Sequence, residues 1–348
     1  MNLIFTKDLV PGMCVGEDVI AEDGFIKLLP QGAILTQVQI NSLRNWEIPS
    51  IYIDDTSEWT EGKAIAIHMT KKEFIHGYRE TFDKVVHAFR RIKKFREGSI
   101  AEMQELVDQN IILLSETIGV LEHLQDIRCY SENTFNHSLN VAIIAGVLGK
   151  WCNYEGRELK NLILAGLLHD IGKLFIPLPI LNKPGLLSEE EFAIIKQHPQ
   201  AGYQVLKDAT IPEGVKLGIW QHHERMDGSG YPMGLVGDEI YAGAKIIAIA
   251  DVYDAVTSER VYHCKMTPFE ALDMLADKMF ERLEPVACLT FISNMKNYLT
   301  GSSVVLSNGQ KAKIIAFNAR TGYFTKPVVC LQNGKLIDLQ KTDIWIAG

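Results

Sequence analysis

The chain has 348 residues, an apolar fraction of 47% and a formal net charge of −8. It is long enough for a full core and more than one domain, and its composition excludes disorder as the default state. The acidic balance argues against a general DNA-binding role, while an anionic small ligand held by metal ions or a few placed Lys or Arg side chains stays open. Cys14, Cys129, Cys152, Cys264, Cys288 and Cys330 are scattered, with no Cys-x-x-Cys pair. They read as reduced, buried small hydrophobes of a cytoplasmic protein. The first eight residues lack a basic stretch followed by an apolar run, and the most apolar segment, 139–148, is too short to span a bilayer.

In chain order, residues 1–60 read as a small β-rich module of unassigned role. Its apolar runs at 15–20 and 34–35 are broken by Pro11-Gly12, Asp23-Gly24 and Pro30-Gln31-Gly32. A helix over 36–46 and a strand at Ile51-Tyr52-Ile53 follow. Residues 61–128 form a helical connector. In its first part Ile65, Ile67, Phe74, Tyr78, Phe82, Val85, Phe89 and Ile92 recur at helical spacing, and the basic cluster 90–96 is a solvated face. A second helix is predicted over 99–126. Residues 129–300 are predicted to be helical over 140–148, 159–168, 189–197, 244–257 and 268–278, with Ser188 ahead of Glu189-Glu190-Glu191 as an N-cap. Residues 301–348 return to β structure, with Asn308-Gly309 and Asn333-Gly334 as hairpin turns. The predicted fold is mainly α: an all-helical core flanked by small β-rich N- and C-terminal modules and joined to the first of them by the connector.

The chemistry concentrates in that core. His137, His169, His198, His222 and His223 are five of the ten histidines, and Asp170 and Asp251 stand among them. Neutral imidazoles and carboxylates together hold borderline divalent cations. Asp251 lies inside an apolar helix, where an unpaired charge is costly without a cation, a hydrogen-bond partner or a raised pKa. Each residue has a structural alternative: a hydrogen-bonded core histidine at 137, a helix-end histidine at 198, a salt-bridged carboxylate at 251. Singly these alternatives are the more common. Together, with each residue at the end of or inside an apolar helix, the set points to metal ions and a phosphate-sized anion.

The matching stretches are His137-Ser138, Leu167-Leu168-His169-Asp170-Ile171-Gly172-Lys173, Lys196-Gln197-His198-Pro199, the run from His222 to Pro232 with its Gly230-Tyr231-Pro232, and Ile249-Ala250-Asp251-Val252-Tyr253-Asp254-Ala255. On these, residues 130–290 resemble the HD-GYP family, a branch of the HD superfamily of metal-dependent phosphohydrolases. The resemblance implies an all-helical core holding iron or manganese and hydrolysing cyclic di-GMP to linear pGpG, GMP or both. It implies His137, His169, Asp170, His198, His222, His223 and Asp251 as metal ligands. Asp170 would bridge two ions, with a bridging hydroxide as nucleophile, and Lys173 would act at the scissile phosphate. Arg260, Tyr231 and His263 would complete the substrate site. The Gly228-Ser229-Gly230 turn with Tyr231 would form the substrate mouth or a surface for a protein partner such as a diguanylate cyclase, and a homodimer is compatible with the terminal modules.

Two departures qualify the resemblance. Where some members carry a Glu that binds a third ion, this chain has Asn133, so two ions are favoured over three. Where the family continues from its arginine with a basic residue, this chain has Val261-Tyr262-His263, and a histidine there makes one phosphate contact pH-dependent. Glu224 is expected to orient a ligating imidazole, and Asp227 to serve turn chemistry. Three functions compete: a cyclic di-GMP phosphodiesterase, an HD phosphohydrolase of another nucleotide, and a metal-stiffened receptor or interaction module without useful turnover. The full ligand set with Lys173 favours an enzyme.

Overall fold

A computed structural model describes residues 2–10, 13–20, 27–33, 35, 37–46, 48–54, 69–95, 99–117, 119–127, 134–258, 266–279, 281–317 and 324–347. The chain divides into two compact units, residues 1–68 with 293–348, and residues 69–292.

The first unit opens with β1 (Asn2–Phe5), β2 (Cys14–Val15), β3 (Val19–Ile20), β4 (Lys27–Leu29), α1 (Gln37–Asn45) and β5 (Ser50–Asp54). An antiparallel sheet runs β1-β5-β2, with Leu3 opposite Tyr52 and Val15 opposite Ile53, and β3 pairs with β4. Strand alternation turns Val15, Ile51 and Ile53 onto one small core with Leu35, Ile40 and Leu43. The apolar run at 15–20 is two short strands rather than one. The C-terminal part is a meander of β6 (Ser303–Val305), β7 (Lys311–Ala316), β8 (Val328–Leu331) and β9 (Leu336–Asp338). Ala312, Ile314, Val329 and Leu331 form its buried face.

The second unit is helical. α2 (Lys71–Phe95) buries Phe74, Tyr78, Val85, Phe89 and Ile92 along one face; Ile65 and Ile67 lie outside the described residues. The predicted single helix over 99–126 is instead α3 (Ser99–Leu106), a π-helical turn at Val107–Ile111, α4 (Ile112–Glu116) and α5 (Val120–Ile127). The break falls where Ser115 Oγ donates to Ile112 O (2.7 Å) and Thr117 Oγ1 to Leu113 O (3.0 Å). Hydroxyls bonded back to the preceding turn compete with helix propagation, and Thr117 turns extended at φ −67° and ψ 135°.

The core itself comprises α6 (Thr134–Trp151), α7 (Gly156–Leu168), α8 (Leu178–Leu181), α9 (Glu189–Ile195), α10 (His198–Leu206), α11 (Glu213–Gln221), α12 (Ala242–Thr257), α13 (Pro268–Met279) and α14 (Pro285–Leu299), which runs into the first unit. α6 is buried on every side from Ser138 to Gly149, packed on α7 and α12. The Ser188–Glu191 capping box starts α9 as predicted, but the helix ends at Ile195, and Pro199 begins a new one at His198. No residue of α8 or α9 is buried. Among the described residues no helix is long and apolar enough to cross a membrane. Leu148 is fully buried in α6, so Leu148→Ala is expected to destabilise the helical unit by about 2–5 kcal/mol in urea unfolding.

Candidate metal centre

Three histidines are delivered in the same way by helix ends. His169 follows the last turn of α7, His198 the end of α9, and His222 the end of α11. In each, Nδ1 donates to the carbonyl three residues earlier: Gly166, Ile195 and Ile219, all at 2.7 Å. These are carbonyls that a helix end leaves without an internal partner. With Nδ1 carrying the proton, each neutral ring keeps a lone pair on Nε2. His137 projects from the first turns of α6 and Asp251 from the middle of α12. Asp170 stands between α7 and a 3-10 turn at Ile171–Phe175 that carries Lys173.

The seven predicted ligand residues come together in three overlapping groups, within each of which the ligand atoms lie within 4.8 Å of one another. His198, His222 and His223 form one, His169, Asp170 and His222 the second, and His137, His169 and Asp251 the third. His198 Nε2 faces His222 Nε2 at 3.2 Å, two lone pairs pointed at each other. His137 Nε2 is 3.0 Å from Asp251 Oδ1 and 3.8 Å from Asp170 Oδ2; Asp170 Oδ1 is 3.2 Å from His198 Nε2. His169 Nε2 and Asp170 Oδ1 are buried without a hydrogen-bond partner. Buried acceptors facing acceptors are costly. A divalent cation among them satisfies all at once, so the residues present fit a metal centre.

The electrostatics agree at His222, His223, Asp170 and Asp251, whereas at His137 hydrogen bonds to Asp251 and Asp254 outweigh burial and push the ring up. Burial, with other imidazoles near, pushes the His222 ring well below its ordinary value, and burial does the same to His223 although Asp251 opposes it. Burial would raise the Asp170 carboxyl, but Lys173, His169 and His198 outweigh it and hold the group well below the usual carboxylate range. Asp251 follows the same pattern through His137. Neutral imidazoles and ionised carboxylates are the ligand forms a cation needs.

Lys173 Nζ meets Asp170 Oδ2 at 2.6 Å at the lip of the centre, and Tyr231 lies over His223 with ring centroids 4.6 Å apart. Burial and the nearby Asp251 and Asp170 push the Tyr231 phenol up, which keeps it a neutral donor. Asp227 Oδ1 accepts from Ser229 N (2.9 Å) and Oγ (2.6 Å), the turn role expected for it. Glu224 corrects the sequence reading. Its buried carboxylate touches no imidazole edge but accepts from Met233 N (2.7 Å) and Leu235 N (3.0 Å), pinning the loop beyond Tyr231-Pro232. Gly230 makes that fold-back possible, because a Cβ there would overlap the backbone of Glu224 and Arg225. Arg260, His263, Val261 and Asn133 lie outside the described residues.

One functional residue was not assigned a role from sequence. Asp254 is buried one turn beyond Asp251, and its Oδ2 accepts from His137 Nδ1 at 2.7 Å. Its signal was the one that marked Asp251, a carboxylate inside an apolar helix.

Gly172 fixes Asp170 against His198: a Cβ at this position would overlap the His198 carbonyl. Gly172→Ala is therefore expected to separate the two ligands and lower Mn²⁺ affinity by about tenfold or more, read by titration calorimetry. Glu224→Ala strands two backbone N–H groups and is expected to cost about 2 kcal/mol or more, read by denaturant unfolding.

Residues 120–285 match the family model for the HD domain. The Pseudomonas aeruginosa protein named cyclic di-GMP phosphodiesterase PA4108 is 32% identical over 238 residues, 68% of this chain and 57% of that protein. The Vibrio cholerae protein named 3'3'-cGAMP-specific phosphodiesterase 1 is 38% identical over 169 residues, 48% of this chain and 39% of that protein. The chain thus spans 39–57% of the length of these two relatives. Among solved structures, Bd1817, an HDG"Y"P protein from Bdellovibrio bacteriovorus, shares the fold with a TM-score of 0.55 at 19% identity, over 85% of this chain and 99% of that one. Residues 120–285 are thus an HD domain, and its paired histidines lead into Gly230-Tyr231-Pro232, the HD-GYP signature.

Proposed function

We propose that the chain is a metal-dependent phosphodiesterase of cyclic dinucleotides, with cyclic di-GMP as substrate and linear pGpG, GMP or both as product. The observation that carries this reading is the meeting of the seven proposed ligand side chains around orphaned acceptors, with the Lys173 ammonium beside Asp170. Two ions of iron or manganese are the proposed complement, held by His137, His169, Asp170, His198, His222, His223 and Asp251. Such ions, when bound, lower the pKa of water and neutralise charge developing on a phosphodiester.

The residues do the rest. Asp170, central to the cluster, holds its two oxygens toward different imidazoles, Oδ1 to His198 and Oδ2 to His169. Lys173 is poised to hold a non-bridging phosphate oxygen while its charge keeps Asp170 ionised. Tyr231 supplies a ring face and a neutral hydroxyl at the mouth, and Glu224 keeps it there through the loop backbone. Arg260 and His263 are proposed as further substrate contacts.

The Vibrio cholerae relative supports a second substrate, 3'3'-cGAMP, whose backbone presents the same phosphodiesters. Turnover of both dinucleotides, assayed under reducing conditions with Mn²⁺ or Fe²⁺, decides between them. Chelation is expected to abolish hydrolysis and Mn²⁺ to restore it, with metal analysis giving about two ions per chain. Asp170→Ala is expected to abolish turnover with an unchanged circular dichroism spectrum, and Lys173→Ala to lower kcat about 10²-fold. Hydrolysis retained by Asp170→Ala would overturn the reading.

A further inference from the structure

His137 differs from the other three helix-delivered imidazoles in what holds its Nδ1. A carboxylate does so rather than a backbone carbonyl, and that carboxylate is itself held. Asp254 Oδ2 accepts from His137 Nδ1 at 2.7 Å, while Asp254 Oδ1 accepts from Asn140 Nδ2 at 3.0 Å. Asn140 Oδ1 in turn accepts from the Tyr78 hydroxyl at 2.7 Å. Tyr78, Asn140 and Asp254 are 2%, 4% and 1% exposed, so water does not compete for these bonds. The three residues come from α2, α6 and α12, and Tyr78 lies outside residues 120–285 of the HD-domain match.

We infer that Tyr78 is a positioning residue for the metal ligand His137, acting through Asn140 and Asp254, so that its hydroxyl tunes the affinity of the His137 subsite for its cation. The inference rests on the metal-centre reading. Its physical basis is directional. A carboxylate fixed on both oxygens has one orientation in which to meet His137 Nδ1, and that orientation aims Nε2 at Asp251 and Asp170. Ser258 Oγ also donates to Asp254 Oδ1, at 3.3 Å, so loss of the shorter Asn140 bond loosens the carboxylate rather than freeing it, and the imidazole shifts with it. A partner of this kind typically changes metal affinity by about 10–100-fold when removed. In a chain of buried hydrogen bonds each member also polarises the next. Through the Tyr78 hydroxyl α2 bears on the centre although it supplies no ligand.

The test is Mn²⁺ titration of the full chain by calorimetry without oxygen, alongside kcat and KM. Asp254→Asn is expected to weaken one Mn²⁺ site by about 10–100-fold, and Tyr78→Phe, which keeps the ring and loses only the hydroxyl, by about 3- to 10-fold. Asn140→Leu should fall between them. Adding Tyr78→Phe to Asp254→Asn should weaken the site no further, as members of one chain are not additive. In Tyr78→Phe the lost turnover should return at saturating Mn²⁺ with the substrate KM unchanged. Phe74→Leu, one turn earlier on the same buried face of α2, is the control for loosening the helix. It should lower Tm and leave Mn²⁺ affinity at the wild-type value. Wild-type affinity in Tyr78→Phe, or an equal loss in Phe74→Leu, would overturn the inference. The predicted order of affinities in a protein that hydrolyses no cyclic dinucleotide would uphold it while sinking the phosphodiesterase reading.

Discussion

His169, His198 and His222 each commit an Nδ1 proton to a carbonyl at a helix end, and the lone pairs that remain are turned on one another and on Asp170 inside a dry core. A polypeptide gains nothing by burying acceptors in that arrangement. The free energy of the site is repulsive until a cation enters, and burial holds His222 and His223 far from protonation, so a proton cannot take the cation's place there. His137 behaves differently. Burial acts to lower its pKa, but hydrogen bonds to Asp251 and Asp254 prevail and push it up to about 9. The His137 corner can thus hold a proton where His222 and His223 do not.

The backbone reinforces this preference. The C-terminal ends of α7, α9 and α11 converge on the centre, and a helix C-terminus carries a partial negative charge. Lys173 is the counterweight: its ammonium, at 2.6 Å from Asp170, offsets part of the carboxylate charge at the side open to an anion. Close approach of backbones sets the geometry. The 3-10 turn after Asp170 lies so near the start of α10 that only glycine fits at 172. The pentapeptide His169-Asp170-Ile171-Gly172-Lys173 therefore unites a proposed ligand pair, a packing contact at Gly172 and the ammonium that neighbours Asp170 in five consecutive residues.

The clustering residues were legible because charge or imidazole inside an apolar helix is anomalous in a linear sequence. Asp251 in Ala242–Thr257 and His169 after Gly156–Leu168 stand out without any structure. Bonds between distant segments were not legible. Glu224 next to two histidines suggested an imidazole partner, whereas its partners are backbone groups nine and eleven residues on, reached only after the loop folds back at Gly230. Tyr78 read as one more apolar position on α2, since periodicity reports which face is buried and says nothing of where a hydroxyl ends. The break within 99–126 escaped for a related reason. Ser115 and Thr117 fit a helical pattern, and only their bonds back to the preceding carbonyls end it.

The two sides of the centre are built with unequal rigidity. His137, Asp251 and Asp254 ride on α6 and α12, whose central residues are buried all round. His198 follows α8 and α9, which bury none of their residues and are tied down by the Ser188–Glu191 capping box and the Lys183–Glu191 ion pair at 2.6 Å. Local opening costs least where apolar burial is least. The exposed side chain of Lys196, next to the end of α9, stands 5.5 Å from the centre of the Tyr231 ring, so the least anchored segment also borders the mouth. Opening on the α8–α9 side therefore costs less than opening on the α6–α12 side, where the carboxylate–imidazole pairs sit. Two of the proposed ligands, His137 and Asp251, and the Asp254 carboxylate that holds His137 thus sit where local opening is most costly, which a site spread evenly over thinly buried segments would not achieve.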